Sequence, residues 1–170
     1  MLSVIGFTDF TDFTGVTDLT MTVTTEDIKK LREETQAPVM EVKHALEEAG
    51  GNAAEAKKLL SEKALVRAES KKGREAGNGM VFSYVHSGGK VGVLVDLRCE
   101  TDFVARTEVF QNLGKELCLQ VASMDPQSVA ELLEQEYIRE PEKKMADLVG
   151  EASGTLGEHV KIAQFIRYAI

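Results

Sequence analysis

An α+β fold is predicted for this chain, with a helical module placed before a core of three antiparallel strands packed on helices. Apolar residues recur at helical spacing from residue 25 to residue 64, a glycine-rich break follows, and two valine-rich runs then alternate with period two. These patterns divide the chain into a tail over residues 1–24, a three-helix domain over 25–66, a linker over 67–79 and an α+β dimerisation or core domain over 80–170.

The overall composition narrows the classes of function. The chain has 170 residues, a formal net charge of -8 and a pI near 5.0. Nucleic-acid binding relies on clustered Lys and Arg, so this acidity argues against nucleic acid as a direct partner. The apolar runs are far shorter than the ~20 residues of a membrane span. A protein or a small ligand is therefore the expected partner, with no membrane association.

The two cysteines, Cys99 and Cys118, show neither Cys-x-x-Cys nor metal-ligand spacing. We therefore predict no metal site and no cofactor, and a reducing, intracellular setting. Cys118 lies on a predicted helix and is expected in the core, whereas Cys99 lies at a strand end and is expected to be a partly exposed thiol.

The first 24 residues have a composition of their own. They contain no Lys or Arg and repeat a triplet that begins at Phe7, Phe10 and Phe13. A period of three fits neither a strand nor an α-helix. We interpret this segment as a poorly ordered tail, an upstream extension with Met21 as the natural start, and a short docking peptide is the alternative.

Three short helices are predicted between residues 25 and 66. The turn at residues 35–38 closes the first, and Pro38 suits the first turn of the second. Gly50 and Gly51 stop the second helix, and Asn52 is placed to cap the third.

A basic stretch follows the third helical pattern. Its cations are Lys63, Arg67, Lys71, Lys72 and Arg74. No aromatic residue is interleaved for base stacking, so we interpret the stretch as a solvated helix end running into the linker. Contact with RNA or with an acidic surface is the alternative.

The core pattern starts with a hairpin in which Gly88-Gly89 joins the runs 80–87 and 90–98. On the second run Val91, Val93, Val95 and Leu97 share one face. Thr107 is placed to cap a helix, and Ser128 with Glu131 to cap another that runs through Tyr137. Pro141 is expected to open a last helix, which ends at Gly154 or Gly157. A final strand is predicted from the alternation of Val160, Ile162, Gln164, Ile166 and Tyr168.

The segment directly after the second run is the candidate binding site. It consists of Thr101, Asp102, Phe103, Val104, Ala105 and Arg106. An aromatic between an acid and a small apolar pair, in a loop on a rigid scaffold, is typical of a wedge for a partner's groove. The alternative is that Phe103 turns inward, since burying it is worth roughly 1.5 to 3 kcal/mol.

Catalytic chemistry finds little support in the sequence. His44, His86 and His159 are scattered, without Asp, Glu, Ser or Cys at a spacing that suggests a triad. The glycines at 73, 77 and 79 are followed by no Gly-Lys-Ser/Thr, so they form no phosphate-binding loop. We therefore predict that the protein is not an enzyme and does not itself bind a nucleotide.

Two stretches of the chain resemble a known family. Gly88–Val95 with Cys99–Arg106 resembles the core signature of elongation factor Ts, and residues 40–52 resemble its N-terminal ubiquitin-associated-like domain. The resemblance implies a guanine-nucleotide exchange factor. Its Asp102–Phe103 loop would insert near the magnesium and phosphate site of elongation factor Tu and promote GDP release. It also implies a second contact at Val39 and Met40, for which packing within the three-helix domain is the alternative.

The resemblance further implies a cytoplasmic location of the bacterial type, with an organellar one left open. The family usually has glycine where Gln36 stands and asparagine where His159 stands. The chain has strands for only one half of the core found in longer members, so a homodimer is expected. The runner-up function is a non-catalytic ubiquitin-associated-like adaptor or a ribosome-associated binding module.

Overall fold

The computed structural model describes residues 23–86 and 88–170. The predicted tail therefore lies almost wholly outside the described residues. Within them, the α+β fold is confirmed, with three helices before a three-stranded antiparallel sheet that packs on further helices. The helices are α1 (Thr25–Thr35), α2 (Val39–Glu48), α3 (Ala53–Glu69), α4 (Asp102–Ala105), α5 (Glu108–Met124), α6 (Val129–Glu134) and α7 (Met145–Leu156). The strands are β1 (Asn78–Val85), β2 (Val91–Cys99), β3 (Glu136–Tyr137), β4 (Glu140–Lys144) and β5 (Lys161–Ala169).

Helices α1 to α3 form a module with its own apolar cluster. Leu31, Val42 and Leu46 are buried against Leu60 of α3, and Val23 packs at the edge of the same cluster. Thr24 caps α1 in a box with Asp27, and the Asn52 side chain accepts hydrogen bonds from two amides of the first turn of α3. The predicted cap at Asn52 is confirmed.

The C-terminus of α1 ends on a left-handed residue that is not glycine. Gln36 has φ 54°, and its Nε2 donates to the Glu33 carbonyl at 2.9 Å. This conformation costs a residue with a Cβ roughly 1–2 kcal/mol, which exceeds the entropy that glycine loses on folding, about 0.5–1 kcal/mol.

We therefore expect Gln36→Gly to raise the free energy of unfolding by up to about 1 kcal/mol, as measured by urea unfolding. Gln36→Ala is the control, because it keeps the left-handed strain and loses the amide. It should be no more stable than the wild type. A Gly variant that unfolds at lower urea than the wild type would contradict the assignment of strain to this residue.

Helix α3 runs past residue 66 and joins the module to the core by packing along α7. Ala64 and Ala68 are buried on the side of α3 that carries this contact. A Cβ atom added to Gly154 of α7 would overlap the Ala64 backbone, which shows how closely the two helices approach. Cations of the basic stretch pair with acids, as Lys63 does with Glu48 at 2.7 Å.

The sheet has the order β1-β2-β5, and both pairings are antiparallel. The inward face of β2 matches the prediction, because Val93, Val95 and Leu97 are buried against α5 together with Phe82 of β1. Gly88 and Gly89, both with positive φ, lie in the connection between β1 and β2. These backbone conformations suit glycine in a hairpin connection.

The predicted alternation of the last strand is wrong beyond Ile162. The register of β5 shifts between Ile162, which pairs with Leu97, and Gln164, which pairs with Asp96. The residue between them is bulged, and a bulge exchanges the two faces of a strand. Val160 and Ile162 are therefore buried, while Ile166 and Tyr168 point away from the helices and are exposed.

Two predictions between α5 and α7 are also wrong. Helix α6 ends at Glu134, and Tyr137 lies in β3 instead. Pro141 opens no helix but lies in β4, where the two-stranded β3–β4 ribbon tolerates its missing N–H. Helix α7 begins only at Met145, with the Asp147 carboxylate accepting from the Lys144 amide at 3.2 Å.

The expectation of an exposed thiol at Cys99 is wrong, because its side chain is buried in the core cluster. Burial raises the pKa of the Cys99 thiol, and it raises the pKa of Cys118 to about 11. Cys118 lies in the core as predicted. Among the described helices, none is long and apolar enough to cross a membrane.

Candidate functional site

The segment after β2 forms a single helical turn rather than an open loop. The Thr101 side chain caps this turn by accepting from the Val104 amide at 3.4 Å, and α4 spans Asp102–Ala105. Thr107 then caps α5 by accepting from the Phe110 amide, as predicted. Two consecutive caps explain why the segment turns twice and does not extend.

The turn holds its aromatic side chain outward. Phe103 is 79% exposed, so the alternative in which it caps the core does not hold. Asp102 and Arg106 flank it and form an exposed ion pair at 2.9 Å. Such a pair is worth little to stability, about 0–1 kcal/mol, and leaves both charges accessible. The tip of the turn therefore offers one aromatic ring between an acid and a base.

The base of the turn is anchored in the core. Ala105 is buried, and its carbonyl accepts from Gln111 Nε2 at 2.8 Å. The Val104 carbonyl accepts from the Thr107 hydroxyl at 2.8 Å, and the Val104 side chain packs against the core cluster. An exposed tip on a fixed base lets the aromatic ring meet a partner without first ordering the backbone.

Sequence reasoning missed the residue that holds the start of the turn. The Glu158 carboxylate accepts from the Glu100 amide at 3.1 Å, from the Thr101 amide at 3.0 Å and from the Thr101 hydroxyl at 2.6 Å. Glu158 comes from the connection between α7 and β5, and it is partly buried. No spacing or composition around Glu158 in the sequence indicated this role, because its partners lie nearly sixty residues earlier.

Val39 and Met40 lie on a separate element, the first turn of α2. They are 48% and 55% exposed, while Val42 one turn on is fully buried in the module. The exposed pair is thus apolar surface that the packing of the module leaves open. The structure brings Thr101 to Arg106 together in one turn and places Val39 and Met40 on the helical module.

Across residues 23–86 and 88–170, no group of three or more His, Cys, Asp or Glu side chains is arranged to hold a metal ion. The imidazole of His159 lies 2.7 Å from the Arg74 carbonyl, so Nδ1 is the nitrogen that carries the proton and donates. His159 therefore has a structural partner. The described site presents an exposed aromatic ring on an anchored turn.

Known proteins are similar to this chain over most of its length. The family model for elongation factor TS matches residues 100–170, which include α4 and Glu158. The chain is 38% identical over 191 residues to elongation factor Ts of Thermoanaerobacter sp. (strain X514), covering 86% of this chain and 94% of that protein. It is 37% identical over 195 residues to elongation factor Ts of Leptospira biflexa serovar Patoc, covering 88% and 98%.

A longer relative is also similar. Elongation factor Ts of Aquifex aeolicus is 39% identical over 155 residues, which cover 88% of this chain and 53% of that protein. The family predicted from the sequence is thus confirmed, and the chain belongs to the elongation factor Ts family of translation elongation factors.

Proposed function

We propose that this chain promotes GDP release from elongation factor Tu by inserting Asp102 and Phe103 near the magnesium and phosphate site of that protein. The observation that carries the proposal is an aromatic side chain 79% exposed on a capped and anchored turn. Leaving such a side chain in water forgoes roughly 1.5–3 kcal/mol of burial, which a partner's pocket can supply.

The physical mechanism requires no bond-making by this chain. A bound nucleotide is held mainly by magnesium and by backbone amides that surround its phosphates. A wedge that displaces these groups lowers the affinity for the nucleotide. The effect is a coupling free energy and is reciprocal, so GDP weakens the binding of this chain by the same factor. This role is that of an exchange factor rather than of an enzyme.

Val39 and Met40 supply a second contact in this proposal. Both lie at the exposed start of α2, on a module that packs against α7 of the core. Because α3 ties the module to the core along α7, a partner can engage the tip of α4 and the start of α2 on one body. A second apolar contact adds affinity without acting on the nucleotide.

Release of labelled GDP from elongation factor Tu, with and without the full chain, tests the function directly. We expect release to accelerate with the concentration of the chain and to saturate. Binding to elongation factor Tu without accelerated release would favour the adaptor reading. Absence of both would overturn the proposal.

A homodimer is proposed from the outer face of the sheet. Leu94 and Ile166 are cross-strand neighbours on this face, and both are exposed, as are Val81, Val85 and Tyr168. Exposed apolar side chains on a sheet face favour association, and one such face can pair with itself about a two-fold axis.

We expect light scattering of the free protein at micromolar concentration to give twice the mass of the chain. Leu94→Lys should shift it to the monomer, because the new charge would be buried in the interface. A wild type that stays monomeric throughout this range would refute the dimer while leaving the exchange proposal standing.

A further inference from the structure

Two carboxylates join the start of α4 to the connection before β5. Glu158 accepts from the amides of Glu100 and Thr101, at 3.1 and 3.0 Å, and from the Thr101 hydroxyl. In return the Glu100 carboxylate accepts from the His159 amide at 2.7 Å. Each segment thus gives its amides to the carboxylate of the other, although the two lie nearly sixty residues apart in the chain. We call this arrangement the carboxylate latch, formed by Glu100, Thr101, Glu158 and His159.

The latch is itself held in place from the α7 side. Gly157 ends α7 with φ 70°, a conformation that favours glycine. The buried Ser153 hydroxyl donates to the Glu158 carbonyl and accepts from the Val160 amide at 3.3 Å. The Glu158 backbone therefore cannot follow its side chain if α4 moves, so the latch fixes α4 relative to the core.

The linker side closes the arrangement. The Arg74 guanidinium lies 3.6 Å from the Glu100 carboxylate, and the Arg74 carbonyl accepts from His159. The Asn78 side-chain amide donates to the Glu100 carbonyl at 2.6 Å. Three segments distant in sequence thus meet at the residue just before the exposed turn.

We infer that Glu158 is a positioning residue for Phe103. It holds α4 in the orientation that binds elongation factor Tu, without touching the partner itself. This inference rests on the exchange function proposed above. Hydrogen bonds to a carboxylate are about twice as strong as neutral ones, so the two from amides and the one from the Thr101 hydroxyl together select one conformation of the turn. When only a fraction of molecules holds the competent conformation, the apparent affinity for the partner falls by that fraction.

The inference predicts which kinetic constant changes. Glu158→Gln keeps the size of the side chain but has one acceptor oxygen in place of two, and its NH₂ group faces the donors of the latch. We expect the concentration of elongation factor Tu·GDP at half-maximal rate to rise about tenfold, with the maximal rate of GDP release nearly unchanged. Phe103→Ala, in contrast, should lower the maximal rate itself.

A matched control separates this role from general destabilisation. Glu131 also accepts a backbone hydrogen bond, from the Gln127 amide at 2.9 Å, but it lies in α6 away from the latch. Glu131→Gln should leave both kinetic constants unchanged. A conservative change within the latch, Thr101→Ser, keeps the hydroxyl donor, so the Glu100 and Thr101 amides should stay protected against hydrogen exchange. Thr101→Val should raise the concentration of elongation factor Tu·GDP at half-maximal rate. Combined with Glu158→Gln it should add little, since both changes remove the hydrogen bond from the Thr101 hydroxyl to Glu158.

Hydrogen exchange of the amides gives a readout that needs no partner. In Glu158→Gln, the amides of Glu100 and Thr101 should exchange about tenfold faster, while amides in the centre of α5 stay protected. Unchanged exchange at both amides would overturn the latch. Faster hydrogen exchange of these amides, with no change in the concentration of elongation factor Tu·GDP at half-maximal rate, would overturn the positioning role. If Phe103→Ala still releases GDP at the wild-type rate, the proposed function fails. The hydrogen exchange of the amides would then still test the latch independently.

Discussion

Replacing Phe103 with alanine is expected to slow catalysed GDP release from elongation factor Tu by about tenfold or more, as for the loss of an interface hot spot worth ~2 kcal/mol. The ring is 79% exposed in the free chain, so its removal costs little packing within this protein. The fold should therefore persist, and the free energy of unfolding should change by only a few tenths of a kcal/mol. Stopped-flow release of a fluorescent GDP analogue at saturating chain concentration measures the effect.

Met124→Ala is the matched control. Met124 is 47% exposed at the end of α5, so the change removes a similar kind of surface outside α4. Its release rate should match the wild type. Equal rates of GDP release for Phe103→Ala and the wild type would contradict the wedge assignment, whatever the result for the control. Asp102→Asn tests the carboxylate next to the ring without altering its shape.

The elements that the sequence predicted well are those specified by neighbouring residues. Thr107 and Asn52 cap helices because their side chains reach amides two or three positions on, which is visible in the sequence. The inward face of β2 follows from a period of two in valine and leucine. Phe103 was also proposed from its neighbours, although the sequence alone left open whether its side chain points inward or outward.

The errors occurred where contacts with residues distant in the sequence determine the local structure. The bulge in β5 depends on pairing with β2, so the alternating residues gave no sign that Ile166 would change face. Pro141 suits a helix start, yet here it lies in β4, one strand of a ribbon that α5 contacts. In that ribbon Tyr137 donates to the Glu116 carboxylate at 2.8 Å. Tertiary contacts of this kind override local preference.

Glu158 shows the same limit at the site itself. Its three bonds go to residues almost sixty positions earlier in the chain, and glutamate is common on surfaces. Nothing in the local pattern distinguishes it from a solvated acid. The candidate tip, Asp102 and Phe103, was proposed from neighbouring residues alone, whereas the contacts of Glu158 with the turn became visible only in the fold.

The second large effect is expected at the contact between α3 and α7. A Cβ atom at Gly154 would lie 2.5 Å from the Ala64 carbonyl carbon and 2.7 Å from its Cα, and it would overlap the carbonyl oxygen. These are backbone atoms of a helix and cannot move aside singly. Gly154→Ala should therefore force the helices apart and cost about 2 kcal/mol, even though alanine favours a helix interior by about 1 kcal/mol. For a chain of this size the melting temperature should fall by roughly 4–8 °C.

Gly150→Ala, one turn earlier on α7, is the matched control for Gly154→Ala. A Cβ atom there meets only the Leu65 Cδ2 methyl group, at 2.7 Å, and that end of a flexible side chain can rotate away. The gain in helix propensity should then leave this variant as stable as the wild type or slightly more so. Calorimetry of the two variants decides the point. If Gly154→Ala melts at or above the temperature of Gly150→Ala, then α3 and α7 are not held at the close distance that joins the helical module to the core.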